Sequence, residues 1–434
     1  MPNSGQCRRL LFLHLRLVVA GCSLVLVSAI PAAWGQTYTV IHNFGGGLDG
    51  AEPSAGLTID SAGNLYGPTF EGDAGTGTVY KLSHHSGGWL LSPLYLFPGG
   101  SDGSVPYARV IFGPSGALYG TTGFGGEGPC QTYYHTGCGT VFSLQPQPHP
   151  PATPLTLWNE QVLYRFSGGS DGANPYSGDV VFDSAGSIYG TTYNGGAQAC
   201  SGGCGVVYKL TPSGGSWSES VLYAFTGLDG THPWAGVTFD HAGNLYGTTV
   251  YGGAYNAGTI FELTPSGSGW VEHVIYSFTG GSDGGNPYAG LIFDASGNLY
   301  GAAGSGGAGG GGTVFELTPS GGGWNSATLY SFSGATGQFA PGPVANLVLD
   351  SAGSLYGTTH ADGTYYYGSV FKLTPSGGGW NYSSLHDFTG GADGGYPRSN
   401  IVFDRSGNMY GTAAEGGTAN CGQASCGVIF QIAP

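Results

Sequence analysis

Charge is what this chain has least of. Only 8% of its 434 residues are Asp, Glu, Lys or Arg, and 10 Lys and Arg face 25 acids, for a net charge of −15. A surface so short of cations repels phosphate backbones and anionic lipid, which makes nucleic acid and membrane surfaces poor partners; no nucleic acid is expected. Ser, Thr, Asn, Gly and Tyr must cover the surface instead. Several chemical signatures are missing too. The sequence holds no nucleophile elbow, no phosphate-binding loop and no HExxH zinc motif. No histidine or further cysteine accompanies its cysteine pairs at zinc-finger spacing. Beyond residue 30 there is no apolar run long enough to cross a bilayer.

The one sustained apolar run, residues 17–30, follows Arg8, Arg9 and Arg16 and precedes Pro31-Ala-Ala-Trp-Gly35. That order predicts an export signal over residues 1–35, cleaved before Gln36. Val19-Ala20-Gly21-Cys22 also resembles a lipobox, which would instead place a lipid anchor on Cys22. The expected address is therefore outside the cell, free or at the cell surface. Cysteine usage agrees. Apart from Cys7 and Cys22, the cysteines fall into three local pairs, Cys130/Cys138, Cys200/Cys204 and Cys421/Cys426, each ending directly before a glycine. In an oxidising compartment these are expected to be loop-bracing disulfides.

Glycine (87) and proline (25) are abundant enough to indicate disorder if they lacked periodicity. Here they recur in register with aromatics, as turn punctuation. The motif [Asn/Ser/Ala]-[Leu/Ile/Met]-Tyr-Gly occurs seven times, with its tyrosine at positions 66, 119, 189, 246, 300, 356 and 410. The unit 290–332 reads as four short strands: a at 290–294, b at 298–301, c at 313–317 and d at 328–332. Asp-x-x-Gly-Asn forms the tight a–b hairpin. Thr-Pro-Ser-Gly is expected to turn c into d, ahead of Trp89, Trp217, Trp270, Trp324 and Trp380, which read as blade packing. Seven such units predict an all-β, seven-bladed β-propeller over residues 36–434, with repeats near 56–97, 108–166, 178–225, 236–278, 290–332, 345–388 and 400–432. Residues 38–44 form a d-type strand with no a, b or c before it, and residues 427–432 a c-type strand with no d after it. The first should complete the last blade and close the ring.

Gly-Thr-Val-Phe-x-Leu-Thr-Pro-Ser-Gly, then Leu-Tyr-Ser-Phe-x-Gly-Gly-x-Asp-Gly and Gly-Asn-Leu-Tyr-Gly-Thr-Thr, resembles the GloVer-type tandem-repeat proteins of bacteria. The resemblance covers nearly all of residues 37–434. It implies an exported repeat protein and assigns no activity. Family members often carry a C-terminal surface anchor; Pro434 follows the last strand directly, so free secretion or an N-terminal lipid is expected here.

In this strand order the d–a and b–c loops share one face, where function is expected. Three constellations on it qualify. Asp49, Asp102, Asp171, Asp229, Asp283 and Asp393 stand in Asp-Gly-x-x-Pro and would either ring a calcium site or serve as turn residues. Tyr107, Tyr176, Trp234 and Tyr288 follow the proline and would either line the central opening for neutral sugar rings or pack as core. Glu71, Asp73, Glu127, His360, Asp362 and Glu415 break the repeat symmetry. They are either a metal or acid–base sector, with His360, Asp362, Glu71 and Glu415 as catalytic candidates, or solvated loop charge. The Gly-rich stretch 304–312 reads as a loop tip. The expected role is a secreted, monomeric, non-catalytic propeller that binds extracellular polysaccharide or protein, with no cofactor beyond calcium. The alternatives are a secreted glycoside hydrolase or polysaccharide lyase, and a structural cell-envelope component.

Overall fold

The repeats fold into seven four-stranded antiparallel sheets set around one axis as propeller blades. The computed structural model describes residues 36–72, 75–147, 158–267, 269–334, 342–421 and 424–434. The expected leader, the lipid call on Cys22 and Asp73 lie outside the described residues. Apart from one 3₁₀ turn at Gly100–Asp102, the long elements described are all strands. Blade five is representative: Ile292–Phe293, Leu299–Ala303, Thr313–Ser320 and Gly323–Ser331, hydrogen-bonded in that order from the axis outward.

Two local features differ from expectation. Strand a is regular for only two residues, because the chain before Ile292 bends into the d–a loop at the axis. The Thr-Pro-Ser stretch belongs to strand c, with Pro319 opposite Trp324, and the turn shrinks to Gly321 and Gly322. Pairing of b with c ends at Leu317. Proline, which has no N–H to give, thus stands where strand c has lost its inner neighbour.

The ring closes through its ends. Thr37–Asn43 pairs antiparallel with Val428–Ala433, Tyr38 opposite Ile432 and Asn43 opposite Val428. It completes the sheet that holds Val402–Phe403 and Met409–Ala413. The Tyr38 hydroxyl donates to the Asp393 carbonyl, and its ring stacks on His386 of the preceding blade at 3.6 Å.

Packing between blades repeats with the same regularity. A fully buried Phe at the end of each strand d meets an aromatic of strand c in the next blade, at centroid distances of 5.0 to 5.4 Å, from Phe44–Tyr80 through Phe388–Phe430. That c-strand aromatic lies over the glycine of its cross-strand partner, as Phe261 does over Gly247. The neighbouring tyrosine is held twice. In blade four its hydroxyl donates to Glu262, 2.7 Å, and lies 3.4 Å from the Asp240 carboxylate of the a–b hairpin. Its ring packs against Trp324 of the next blade. The same Trp–Tyr contact joins Trp89 to Tyr410, Trp270 to Tyr189 and Trp380 to Tyr300. Trp158, outside the sequence motif, fills the equivalent place beside Tyr66. Strand b is buried along all five residues in every blade, sandwiched between neighbouring sheets.

A methyl at position 247 would stand 2.5 Å from Phe261 Cζ. Gly247→Ala is therefore expected to destabilise the fold by about 1–3 kcal/mol through overpacking. Denaturant unfolding measures this, and an unchanged midpoint would contradict the glycine–aromatic contact.

Candidate functional site

The d–a loop reaches strand a through a proline in every blade. The residue before it holds a left-handed backbone in six of them: Glu52, Val105, Asn174, His232, Asn286 and Tyr396, at φ of 51° to 62°. Few side chains adopt that conformation without cost. The constraint is met by hydrogen bonding, since each N–H donates to a carbonyl of the previous blade's b–c loop, at 2.7 to 3.0 Å. Bridges such as Ala173 to Asn194 and Thr231 to Tyr251 tie the same loops to the start of their own b–c loops. The two loop sets thus share one face, and the residue after the proline is delivered to the axis.

Those seven residues are Ser54, Tyr107, Tyr176, Trp234, Tyr288, Val344 and Arg398. The structure brings the four predicted aromatics into contact. Ring centroids are 5.6 Å apart for Tyr107–Tyr176, 5.1 Å for Tyr176–Trp234 and 5.7 Å for Trp234–Tyr288. Tyr193, at the end of a strand b, joins them 5.5 Å from Trp234. Gly123 makes this possible, because a Cβ there would sit 2.9 Å from the Tyr176 ring. Tyr107, Tyr193, Trp234 and Tyr288 line a cavity of about 200 Å³ on the axis, with Ser54, His360 and Arg398 on its other side; Tyr176 packs against the first three without bordering it. Burial pushes the hydroxyls of Tyr107 and Tyr193 up to about 12, so both stay neutral donors.

Just before strand a lies a layer that the sequence motifs do not announce. Arg109 and Asp179 form an ion pair of 2.7 Å. The Asn346 carbonyl oxygen accepts from the Gly290 N–H at 2.6 Å. Asn400 lies over Gly56, where any Cβ would overlap its side chain. These four polar residues border the cavity. A second cavity of about 340 Å³ lies beyond them, lined by Ile111, Val181, Thr238 and Ile292.

The predicted charged sector is brought together only in part. Glu71 and Glu415 both lie near Glu52, whose carboxyl is raised by burial and by these two neighbours and is partly relieved by Arg398. His360 faces the cavity; burial, then the Arg398 guanidinium, hold its imidazole down at about 3. It is neutral at physiological pH. Asp362 is turned elsewhere: it accepts from Gly363, Gly334 and Ser333 and feels Asp387. Glu127 is exposed on the blade-two loop. Glu52 and Arg398 were missed by inspecting b–c loops alone. Aligning the repeats on the proline places Glu52 just before it and Arg398 just after.

The six loop aspartates do not converge. Each bonds within its own blade: Asp171 accepts from Tyr164, 3.0 Å, and the Ser167 N–H, 2.7 Å. Asp49 accepts from the Gly45 N–H, and Asp283 and Asp393 accept from the Thr279 and Thr389 N–H groups. Asp102 takes the Tyr95 hydroxyl and Asp229 the Tyr223 hydroxyl. Among the described residues no group of three or more His, Cys, Asp or Glu is placed to hold a metal. The three expected disulfides are formed, Cys130–Cys138, Cys200–Cys204 and Cys421–Cys426, all on the b–c loops. Among the described residues no helix is long and apolar enough to cross a membrane.

The profile of the Gloeobacter/Verrucomicrobia repeat matches residues 30–200 and 197–425. No curated protein matches the chain. Among solved structures, the extracellular domain of a B. thetaiotaomicron protein named as a one-component system superposes on 91% of the chain, with 12% identity and a TM-score of 0.52. The chain spans 40% of the length of that extracellular domain. The PQQ-bound aldose sugar dehydrogenase of Streptomyces coelicolor aligns with 92% of this chain and 98% of its own, at 12% identity and a TM-score of 0.39. A puromycin-hydrolysing peptidase of Mycobacterium tuberculosis aligns with 88% and 63%, at 9% and 0.38. The first likeness is one of fold; the other two are too loose to bear on function.

Three of the loop aspartates have a carboxylic neighbour on strand d. Burial and then Asp102, Asp171 and Asp229 in turn raise Glu160, Glu219 and Glu272 from 4.5 to about 7. Between these values the folded protein holds protons that the unfolded chain has released, so their stabilisation is present below about 4.5 and lost as pH rises through about 7. The melting temperature is expected to fall between pH 5 and pH 8. Replacing all three by Gln should flatten that slope and raise stability at pH 8; thermal melts of both proteins across the range check it.

Proposed function

The chain belongs to the Gloeobacter/Verrucomicrobia repeat family, and within that frame we propose that it is an exported, non-catalytic propeller that binds carbohydrate in the aromatic cavity on its axis. The wall of Tyr107, Tyr193, Trp234 and Tyr288, with Tyr176 packed against it, carries this reading. Aromatic faces stack on the C–H faces of sugar rings, and the tyrosine and indole edges keep donors for hydroxyls. The polar groups around them suit a neutral ligand. Asp179 neutralises Arg109, Asn346 and Asn400 offer both donor and acceptor, and His360 carries no charge. Such a site, mostly aromatic with a few fixed polar groups, is the usual build of a small-ligand pocket. Export is supported by the three disulfides, which persist in oxidising surroundings.

A protein partner is the second reading. Tyr133 and Tyr134 are 92% and 83% exposed on the blade-two loop, and Tyr255, Tyr365 and Tyr366 stand out from loops of the same face. Rigid, amphipathic tyrosines among Ser, Gly and Asn are the composition of loop-built binding surfaces.

Binding to a panel of neutral polysaccharides (dextran, xylan, mannan and amylose) by affinity electrophoresis separates the two. Trp234→Ala and Tyr288→Ala should each weaken retention at least about tenfold, the loss of one stacked ring. Tyr133→Ser with Tyr134→Ser should leave it unchanged. Retention indifferent to Trp234 and Tyr288 would remove the cavity as the site.

A further inference from the structure

Resting on the carbohydrate reading above, the geometry points to a narrower ligand class: we infer that the cavity takes the terminal ring of a glycan, end-on along the propeller axis, and rejects internal segments.

The first argument is size. A dry cavity of about 150 Å³ is enough for benzene, so about 200 Å³ accommodates one substituted six-membered ring and not two in sequence. The second is enclosure. Residues of all seven blades line the cavity, so its wall runs round the ring and a chain laid across the axis would meet it on both sides. The third is the floor. The chain runs along the axis from Tyr107 through Arg109 into strand a at Ile111. Tyr107 borders only the upper cavity, Ile111 only the lower, and the residues common to both are Arg109, Asp179 and Asn346. The 2.7 Å ion pair, held between blades two and three, stands where the two cavities meet and narrows the way onward.

The floor also suits an end. A terminal pyranose carries a hydroxyl where an internal ring carries a glycosidic bond, and it can present that group to a guanidinium, a carboxylate and two amides. These groups are already oriented: Arg109 by Asp179, with a second contact from its Nε at 3.1 Å, and Asn346 by the Gly290 N–H. Glycines opposite them, Gly56 and Gly290, give the room their side chains occupy. The ion pair remains about a quarter exposed on the Arg109 side, so it is open to a ligand. Rings beyond the first would leave the cavity toward the loops.

The test uses the full protein and counts ends against mass. Dextran, xylan, mannan and amylose are each offered as competitors intact and after mild acid has shortened them about tenfold at constant mass. A linear malto-oligosaccharide is set beside the cyclic one of equal ring number, which has no terminus. For the polymers that bind, end-on capture predicts that shortening raises potency per gram about tenfold, and that any linear malto-oligosaccharide binding exceeds the cyclic by at least a hundredfold. Equal potency per gram, or equal binding of cyclic and linear forms, would overturn end recognition while leaving Trp234-dependent binding in place. If none of the four polymers binds, or competition ignores Trp234→Ala, the carbohydrate reading fails and the end-on inference with it.

Discussion

An aromatic of strand c lying over a glycine of strand b sets the thickness of each blade, and through it the angle at which the next blade can stand. Phe261 over Gly247 and Phe315 over Gly301 leave no space for a β-carbon. The same aromatics receive the strand d phenylalanine of the preceding blade at an almost constant distance. A constant wedge is what allows seven sheets to meet as a circle, because an error in one angle accumulates around the ring. The last wedge is the contact of Phe44 with Tyr80, and the chain's own first strand supplies it. Registry of Thr37–Asn43 against Val428–Ala433 is therefore not an ornament of the termini. It fixes how blade seven meets blade one.

Framework and site obey different rules on this scaffold. Strand positions repeat sevenfold in burial, pairing and contact. The residues that border the axis do not: an aromatic arc over blades two to five faces Val344, Arg398 and Ser54. Blade three adds one residue between its proline and strand a, so that Asp179 rather than a glycine comes to the axis beside Arg109. The positive-φ residue before six of the seven prolines holds the delivery point fixed whatever side chain follows. Variation is thereby confined to chemistry, with little effect on position.

Much of the fold was legible because its determinants are local and repeated. The Tyr-Gly motif, the Asp-x-x-Gly hairpin and the unmatched half-units at the two ends suffice for blade number and closure. The disulfides and the aromatic arc were equally visible, since proline provides a register mark directly before each ring residue. Other features escaped for physical reasons. Thr-Pro-Ser carries strong turn chemistry, yet Pro319 continues strand c because strand b has already ended there. His360 and Asp362 are two residues apart, but one borders the axis and the other turns toward Asp387. The four polar side chains of the floor come from four blades that are distant in sequence, and no single repeat contains a pattern that announces them. Only stacking the seven units in register would have revealed the column Gly, Arg, Asp, Gly, Gly, Asn, Asn.

That column ties the size of the ring to what it can hold. Each unit contributes one position to that layer, so gaining or losing one unit would change the circumference of the opening and separate residues such as Arg109 and Asp179 from those across it. Descendants with six or eight units would inherit the blades intact and the pocket not at all. Recombination among near-identical repeats, the commonest accident of such genes, would preserve architecture while discarding specificity.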